Sequence, residues 1–522
     1  MAITKVTSKV LEDNVTVAGN LDVSSGTIKL DGDYPTGTEN VALGNTALDA
    51  ITSGNYNTAI GSNAATDLTE GSLNTAIGRK SLFQVTTGGS NTGLGANSLY
   101  ALLTGSDNVA IGHNAMTNTT TASNNTAVGK SALLANTTGE DNTAVGQNAL
   151  AANTTGLDNT AVGRNALDAN TTANDNSAFG VGSLTANTTG ASNTGLGRKA
   201  LKSNTTASNN TAVGFESLQA NTTGTGNTAV GAYALDAAAT ATSNTAVGES
   251  SMSAATTGYR NCAFGQQSML SNTTGSFNTA YGYQSLKSNT TNSGNTAIGY
   301  EAMENATGAS SCVAVGSDAL NICTGDNNTA IGSEAGTDLT SGGQNTIIGR
   351  LCRGGSAGAA GRAVIGYSAE GYTNNSLTMG YGTTDSNIVF GATSITAPSD
   401  IRLKEDIQDE EVGLDFINDL RPVTFRWKKE KDIPSDIKGY KEGSEERTMN
   451  GKYNHGFIAQ EVKEVIDNHN LKDGFDMWSE SEVDGRQRVA PAALMSVMVK
   501  AVQELSTTVD ELKAEITTLK GE

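Results

Sequence analysis

Apolar and polar positions follow a fixed beat along most of this chain. The motif Asn-Thr-Ala-(Val/Ile)-Gly, with conservative variants, begins at residue 40 and returns every 17 residues to 312, then at 328, 345 and 362 after one interval of 16. The full unit reads N-T-A-V-G-x-x-A-L-x-x-N-T-T-G-x-x, as in the stretch from Asn142 to Asp158. A period held through twenty copies marks stacked coils; independent domains would not keep that register. Threonine, valine and alternating polarity favour short strands, while the glycines and paired asparagines favour tight corners. Each coil is therefore expected to contain two short strands and two corners. Helix competes poorly, because each glycine inside one costs roughly 0.5 to 1 kcal/mol.

Only two sizeable apolar residues recur per coil, at the fourth and ninth positions: Val128 with Leu133, Val162 with Leu167, Val247 with Met252. So narrow a core is marginal for one chain, and winding three chains about one axis would turn a second face into shared core. The expected fold is mainly β: a homotrimeric β-solenoid or β-roll shaft over residues 40–366, followed by a small α+β domain over 399–522. At about 4.8 Å per coil the shaft would run on the order of 90 Å. Residues 1–39 alternate like strands but leave the 17-residue register, which suggests an attachment cap. Residues 367–398 keep fragments of the beat at altered spacing, as expected of a distal cap or tip.

Composition divides the chain near residue 398. Of 522 residues 61 are glycine, and 53 of those precede residue 399; both tryptophans, Trp427 and Trp478, follow it. The last 124 residues hold 27 acidic and 18 basic side chains of a total 53 and 33. The net charge of −20 disfavours a nucleic-acid partner held through its phosphates and favours solubility. No stretch approaches the ~18 to 20 apolar residues of a membrane span, and the opening residues lack the apolar core of a secretory leader. Assembly in a cytoplasm is expected. Cys262, Cys312, Cys323 and Cys352 are too few and too irregular for a disulfide framework or a zinc site, so reduced, packed thiols are expected. Neither metal nor cofactor is implied: no Gly-x-x-x-x-Gly-Lys-(Ser/Thr) loop is present, and His113 and His469 have no visible ligand constellation. Asn136, Asn153 and Asn170 match the glycosylation sequon, but without a secretory leader these asparagines are expected to form turns stacked in a ladder.

The repeats resemble the head repeats of trimeric autotransporter adhesins and the shafts of bacteriophage tail fibres, which implies a stiff trimeric spacer or adhesive shaft. Three further runs occur in order near the C-terminus: Ser399 to Ile407 (SDIRLKEDI), Leu420 to Trp427 (LRPVTFRW) and His455 to Val462 (HGFIAQEV). Together they resemble the intramolecular chaperone and self-cleaving peptidase domain, of the peptidase S74 type, that ends many phage tail fibres and tailspikes. That resemblance implies autoproteolysis by a serine–lysine dyad, with Ser399 as nucleophile and Lys404 as general base. It places the scissile bond next to Ser399, most simply Pro398–Ser399. A lysine near 10.4 in water is nearly all protonated, so it serves as base only where burial or nearby cations lower it. Asp400, Arg402, His455, Gln460 and Glu461 are supporting candidates; the last three could equally form a strand-to-helix junction in which Gln460 and Glu461 cap backbone groups.

Met495, Met498, Val502, Leu505, Val509, Leu512, Ile516 and Leu519 follow a 3,4 spacing, the seam of a coiled coil over about 492–520. Pro491 suits the first turn of that helix. The whole reads as a trimeric phage tail fibre for host attachment, located in the virion and folded by a chaperone that cuts itself off in a single turnover. Its expected partners are two further copies, tail or baseplate proteins at the N-terminus, and a bacterial surface glycan or protein. The alternatives are a passive spacer with a separate receptor binder and a polysaccharide depolymerase. The depolymerase needs two carboxylates about 5 to 9.5 Å apart, and the repeats carry no recurring acidic pair.

Overall fold

The computed structural model describes residues 39–382, 384–392, 401, 404–435, 437, 439–448, 451–471, 475–481 and 485–521. The chain divides into two compact units, before and after the junction of residues 398 and 399.

The first unit is a β-solenoid of twenty turns. Each turn contributes one strand, from β1 (Val41–Leu43) through β19 (Thr346–Ile348) to β20 (Ala363–Tyr367). Neighbouring strands are parallel and in register one repeat apart, so that Thr143, Ala144 and Val145 face Thr160, Ala161 and Val162. The sheet continues into β21 (Ser376–Tyr381), which pairs parallel with β20 after a shorter step of 14 residues, Ala363 to Leu377. It then closes with the antiparallel β22 (Thr384–Val389).

The coil has one strand where two were expected. After the strand, glycine takes φ near +136° at Gly146, and the next segment holds Asn148 at +55° and Leu150 at +52°. Positive φ at alternate residues is incompatible with extended backbone. The segment nevertheless bonds from turn to turn, Leu133 N–H donating to Ala149 O at 3.0 Å and Ser131 N–H to His113 O at 3.0 Å. The positive-φ corner falls on polar and leucine residues as well as on glycine, because those inter-turn bonds hold it. The fifth-position glycine is required for space as well: a Cβ on Gly146 would lie 2.6 Å from Gly163 O.

The core also differs from expectation. The ninth-position residue is buried, as at Leu133, Leu150 and Leu167, but its companions are alanines at positions three and eight, such as Ala144 and Ala149. The fourth-position residue points outward, because in a strand running Thr-Ala-Val the inward alanine leaves both neighbours facing out. Val145 is half-buried, Leu196 is 47 % exposed and Tyr281 is 60 % exposed.

Asparagine fills the remaining interior. At position one, Asn159 N–H donates to Asn142 Oδ1 at 3.0 Å, and Asn159 Nδ2 reaches Ala173 O at 2.8 Å. At position twelve, Asn153 Nδ2 donates to Asn136 Oδ1 at 3.0 Å, and Asn170 Nδ2 to Asn153 Oδ1 at 2.9 Å. These side chains are fully buried, and the ladder satisfies amides that would each cost about 1 to 3 kcal/mol if left unpaired. Two positions break the first ladder's composition. Cys312 replaces asparagine in the 16-residue turn, and Arg362 ends the series, its Nη1 donating to Gly371 O at 2.7 Å and its Nε to Asn374 Oδ1 at 3.0 Å.

The second unit is α+β. It contains α1 (Leu414–Asp419), the antiparallel pair β23 (Val423–Phe425) and β24 (Asn454–Gly456), α2 (Ala459–Asn468), the antiparallel pair β25 (Trp478–Glu480) and β26 (Gln487–Val489), and α3 (Leu494–Lys520). Its core gathers Phe416, Leu420, Val462, Ile466, Met477, Leu494 and Val497. Glu504 on α3 accepts the Leu414 N–H at 2.7 Å, tying α1 to the long helix.

Candidate functional site

The second and third motif runs of the C-terminal unit meet in one groove. β23 and β24 place Thr424 opposite His455, whose Nδ1 lies 3.3 Å from Thr424 Oγ1. Leaving β24, the chain turns directly into α2, so the run from His455 to Glu461 is a strand-to-helix junction. Its side chains and those of β23 line a groove of about 860 Å³, with Pro422, Phe425, Trp427, His455, Gln460 and Val489 on its walls. Phe425 and Trp427 pack edge to face at 5.4 Å, giving the groove an aromatic floor beside the exposed polar His455 and Gln460.

Glu461 does not cap the helix it begins. No side chain caps the N-terminus of α2; Glu461 instead accepts both Arg421 Nε, at 2.9 Å, and Arg421 Nη2. The guanidinium holds the Glu461 carboxyl below its ordinary range. This pair fastens the second run to the third, and the 40-residue separation hid it from sequence inspection. His469 is likewise placed by structure: Nε2 sits 2.8 Å from Asp419 Oδ2, and its ring packs edge to face on Phe416 at 5.3 Å.

Of the first run, Lys404 is described and solvent-exposed, its backbone N–H donating to Ile401 O at 3.2 Å. Pro398, Ser399, Asp400 and Arg402 lie outside the described residues.

The last helix shows two faces. Leu494, Val497 and Ala501 are buried against the unit's own core. Met495, Met498, Val502, Leu505, Val509, Leu512, Ile516 and Leu519 are all at least 41 % exposed. Packing against its own unit therefore accounts for the start of α3 and leaves the seam uncovered. Pro491 opens a short 3₁₀ turn, Pro491–Ala493, that leads into it. Among the described residues no group of three or more His, Cys, Asp or Glu could hold a metal ion, and no helix is long and apolar enough to cross a membrane.

Residues 399–471 match the family model of the chaperone of endosialidase, Peptidase_S74. No curated protein and no solved structure matches the chain. With a β-solenoid of about twenty turns preceding it, that match fits a phage tail fibre or tailspike-like protein that ends in a chaperone domain.

Proposed function

We propose that the chain is a homotrimeric tail fibre protein of the virion, serving host attachment, whose C-terminal unit guides folding and then severs itself next to Ser399. The observation that carries this reading is the family match, which begins at Ser399 itself. The uncovered apolar seam of α3 supports a clamp of three parallel helices, which would set three chains in register before the slow, non-local pairing of the solenoid. In this scheme residues 1–39 attach to the tail or baseplate, 40–366 form the shaft, and 367–398 the distal cap. Recognition of a bacterial surface glycan or protein falls to the shaft or cap.

In the cleavage step Lys404, as the neutral amine, takes the Ser399 hydroxyl proton while Oγ attacks the Pro398 carbonyl of its own or a neighbouring chain. The Pro398–Ser399 C–N bond breaks, the amine leaves with a proton, and water hydrolyses the resulting ester. Assembly of three chains would provide the burial that a neutral lysine needs, making cleavage a readout of correct folding. The test compares the wild-type chain with Ser399→Ala, Lys404→Ala and Lys404→Arg by denaturing gel and intact mass. Release of the 124-residue fragment from wild type alone is expected. Arginine keeps the charge but cannot act as a base, so cleavage persisting in Lys404→Arg would remove the dyad from the scheme.

A further inference from the structure

One turn of the solenoid carries sulfur where its neighbours carry other interior side chains. Position one is asparagine in every turn except the last, which has Arg362, and the turn of Cys312, which also holds Cys323 at position twelve. No other turn holds two cysteines. The fold makes these two positions neighbours: in the turn of Asn142, both Asn142 Nδ2 and Asn153 Nδ2 donate to Gly156 O, at 2.9 and 3.0 Å. Sulfur keeps that convergence. Cys312 Sγ and Cys323 Sγ each lie 3.4 Å from Gly325 O, and Asn328 of the next turn donates to both at 3.3 Å, through its N–H to Cys312 and its Nδ2 to Cys323. The two side chains also hydrogen-bond to each other, and both are free thiols with no exposed surface.

This setting makes the two sulfurs unequal. The hydrogen bond from Cys312, joined by one from Asn328, holds Cys323 below the ordinary thiol range against the effect of burial, and Cys312, as the donor, is pushed up. A thiolate is the form that reacts with an oxidant, and a second sulfur in contact is the resolving group it needs. The other two cysteines lack one. At about 4.8 Å per turn, Cys262 lies three turns before this one, roughly 14 Å away, and Cys352 two turns after, roughly 10 Å away, both beyond the span of a disulfide.

We propose that Cys312 and Cys323 are an oxidation site that closes into a disulfide across the interior of their turn, with hydrogen peroxide as the oxidant. The Cys323 thiolate attacks one peroxide oxygen and the O–O bond breaks; hydroxide leaves and takes up the proton that Cys323 gave up, so the products are a sulfenic acid and water. Cys312 Sγ then attacks Cys323 Sγ. The S–S bond forms, the S–O bond breaks, and the departing hydroxide takes the Cys312 proton as a second water. Two thiols thus lose two electrons and two protons, and one peroxide becomes two waters. The bond is intrachain, because both sulfurs face the inside of their own coil. Cys323 lies beneath one layer of chain, between the exposed Ile322 and Thr324, and opening of that corner admits a molecule as small as peroxide. Once closed, the disulfide ties the 16-residue turn covalently where the reduced form has only weak sulfur hydrogen bonds.

In the test the full chain is reduced, freed of reductant, treated with hydrogen peroxide, unfolded in a thiol-alkylating reagent and mapped by peptide mass. The expected product is a linked pair of peptides carrying Cys312 and Cys323, lighter by two hydrogens and separated by dithiothreitol, with Cys262 and Cys352 recovered alkylated. Recovery of Cys312 and Cys323 alkylated, or of Cys323 as sulfinic acid with no linked pair, overturns the proposal. A link between chains, seen on a non-reducing gel, overturns it as well. In a second arm, peroxide is expected to slow amide exchange in residues 312–328 of the wild type by about tenfold. Cys323→Ala, which copies Ala306 of the turn before, should show no such change. Equal slowing in the variant assigns the effect to another residue and counts against the site.

Discussion

In the solenoid the buried side chains are mostly small and recur in most turns: alanine at position three, alanine or serine at position eight, leucine or methionine at position nine, and asparagine at position one and in several turns at position twelve. In the C-terminal unit they are large and each occurs once, with Phe416 touching both His469 and Phe475 edge to face at 5.3 Å. The first region is held by hydrogen bonds that run from turn to turn, so damage is local and shared by neighbours. The second is held by one apolar cluster, so damage is global. A quasi-one-dimensional stack sums nearest-neighbour terms, whereas a small single core melts as a unit.

Four substitutions test that contrast. Phe416→Ala should cost about 4 kcal/mol and melt the entire C-terminal unit, read as loss of amide-exchange protection in α1, α2 and the start of α3 together. Protection lost in α1 alone would contradict a single core. Gly146→Ala should cost about 3 kcal/mol, combining the 2.6 Å approach to Gly163 O with strain at φ +136°. Here faster exchange should be confined to the turns beside 146, and uniform loss along the shaft would show global cooperativity instead. Asn153→Ala leaves Asn136 Oδ1 and Asn170 Nδ2 without their ladder partner, for about 2 kcal/mol by thermal melting. The smallest effect belongs to Glu445→Gln. Lys429 and Lys431 hold this exposed carboxyl down to about 2, so its contribution is complete above pH 4.5 and is lost as pH falls through about 2. Near neutral pH the melting temperature should scarcely move, since exposed ion pairs contribute little.

The repeat, the stacked coils, the strand at Asn-Thr-Ala-Val and the α+β character of the last segment were legible in the sequence. The second side of each turn was not, because leucine seldom adopts the φ of +52° found at Leu150, and local preference gave no sign of it. The outward turn of position four is illegible for a related reason: its larger side chain suggests burial, while the smaller alanine holds the inward place. In the C-terminal unit the motif runs marked the groove walls, His455 and Gln460 among them. The partner of Glu461 came from 40 residues away, and sequence offers no spacing rule for such a pair.

The exchange of asparagine for sulfur at position one has a mechanical consequence. From Asn40 to Asn295 every rung is an amide, but Asn328 N–H must donate to Cys312 Sγ at 3.3 Å, a weaker acceptor, and the same turn also carries Cys323 at position twelve. That turn is one residue short as well. Under axial load it should act as the fuse of the shaft. Pulling experiments should find the first rupture at residues 312–327, and restoring Cys312→Asn should raise the force at which it gives way.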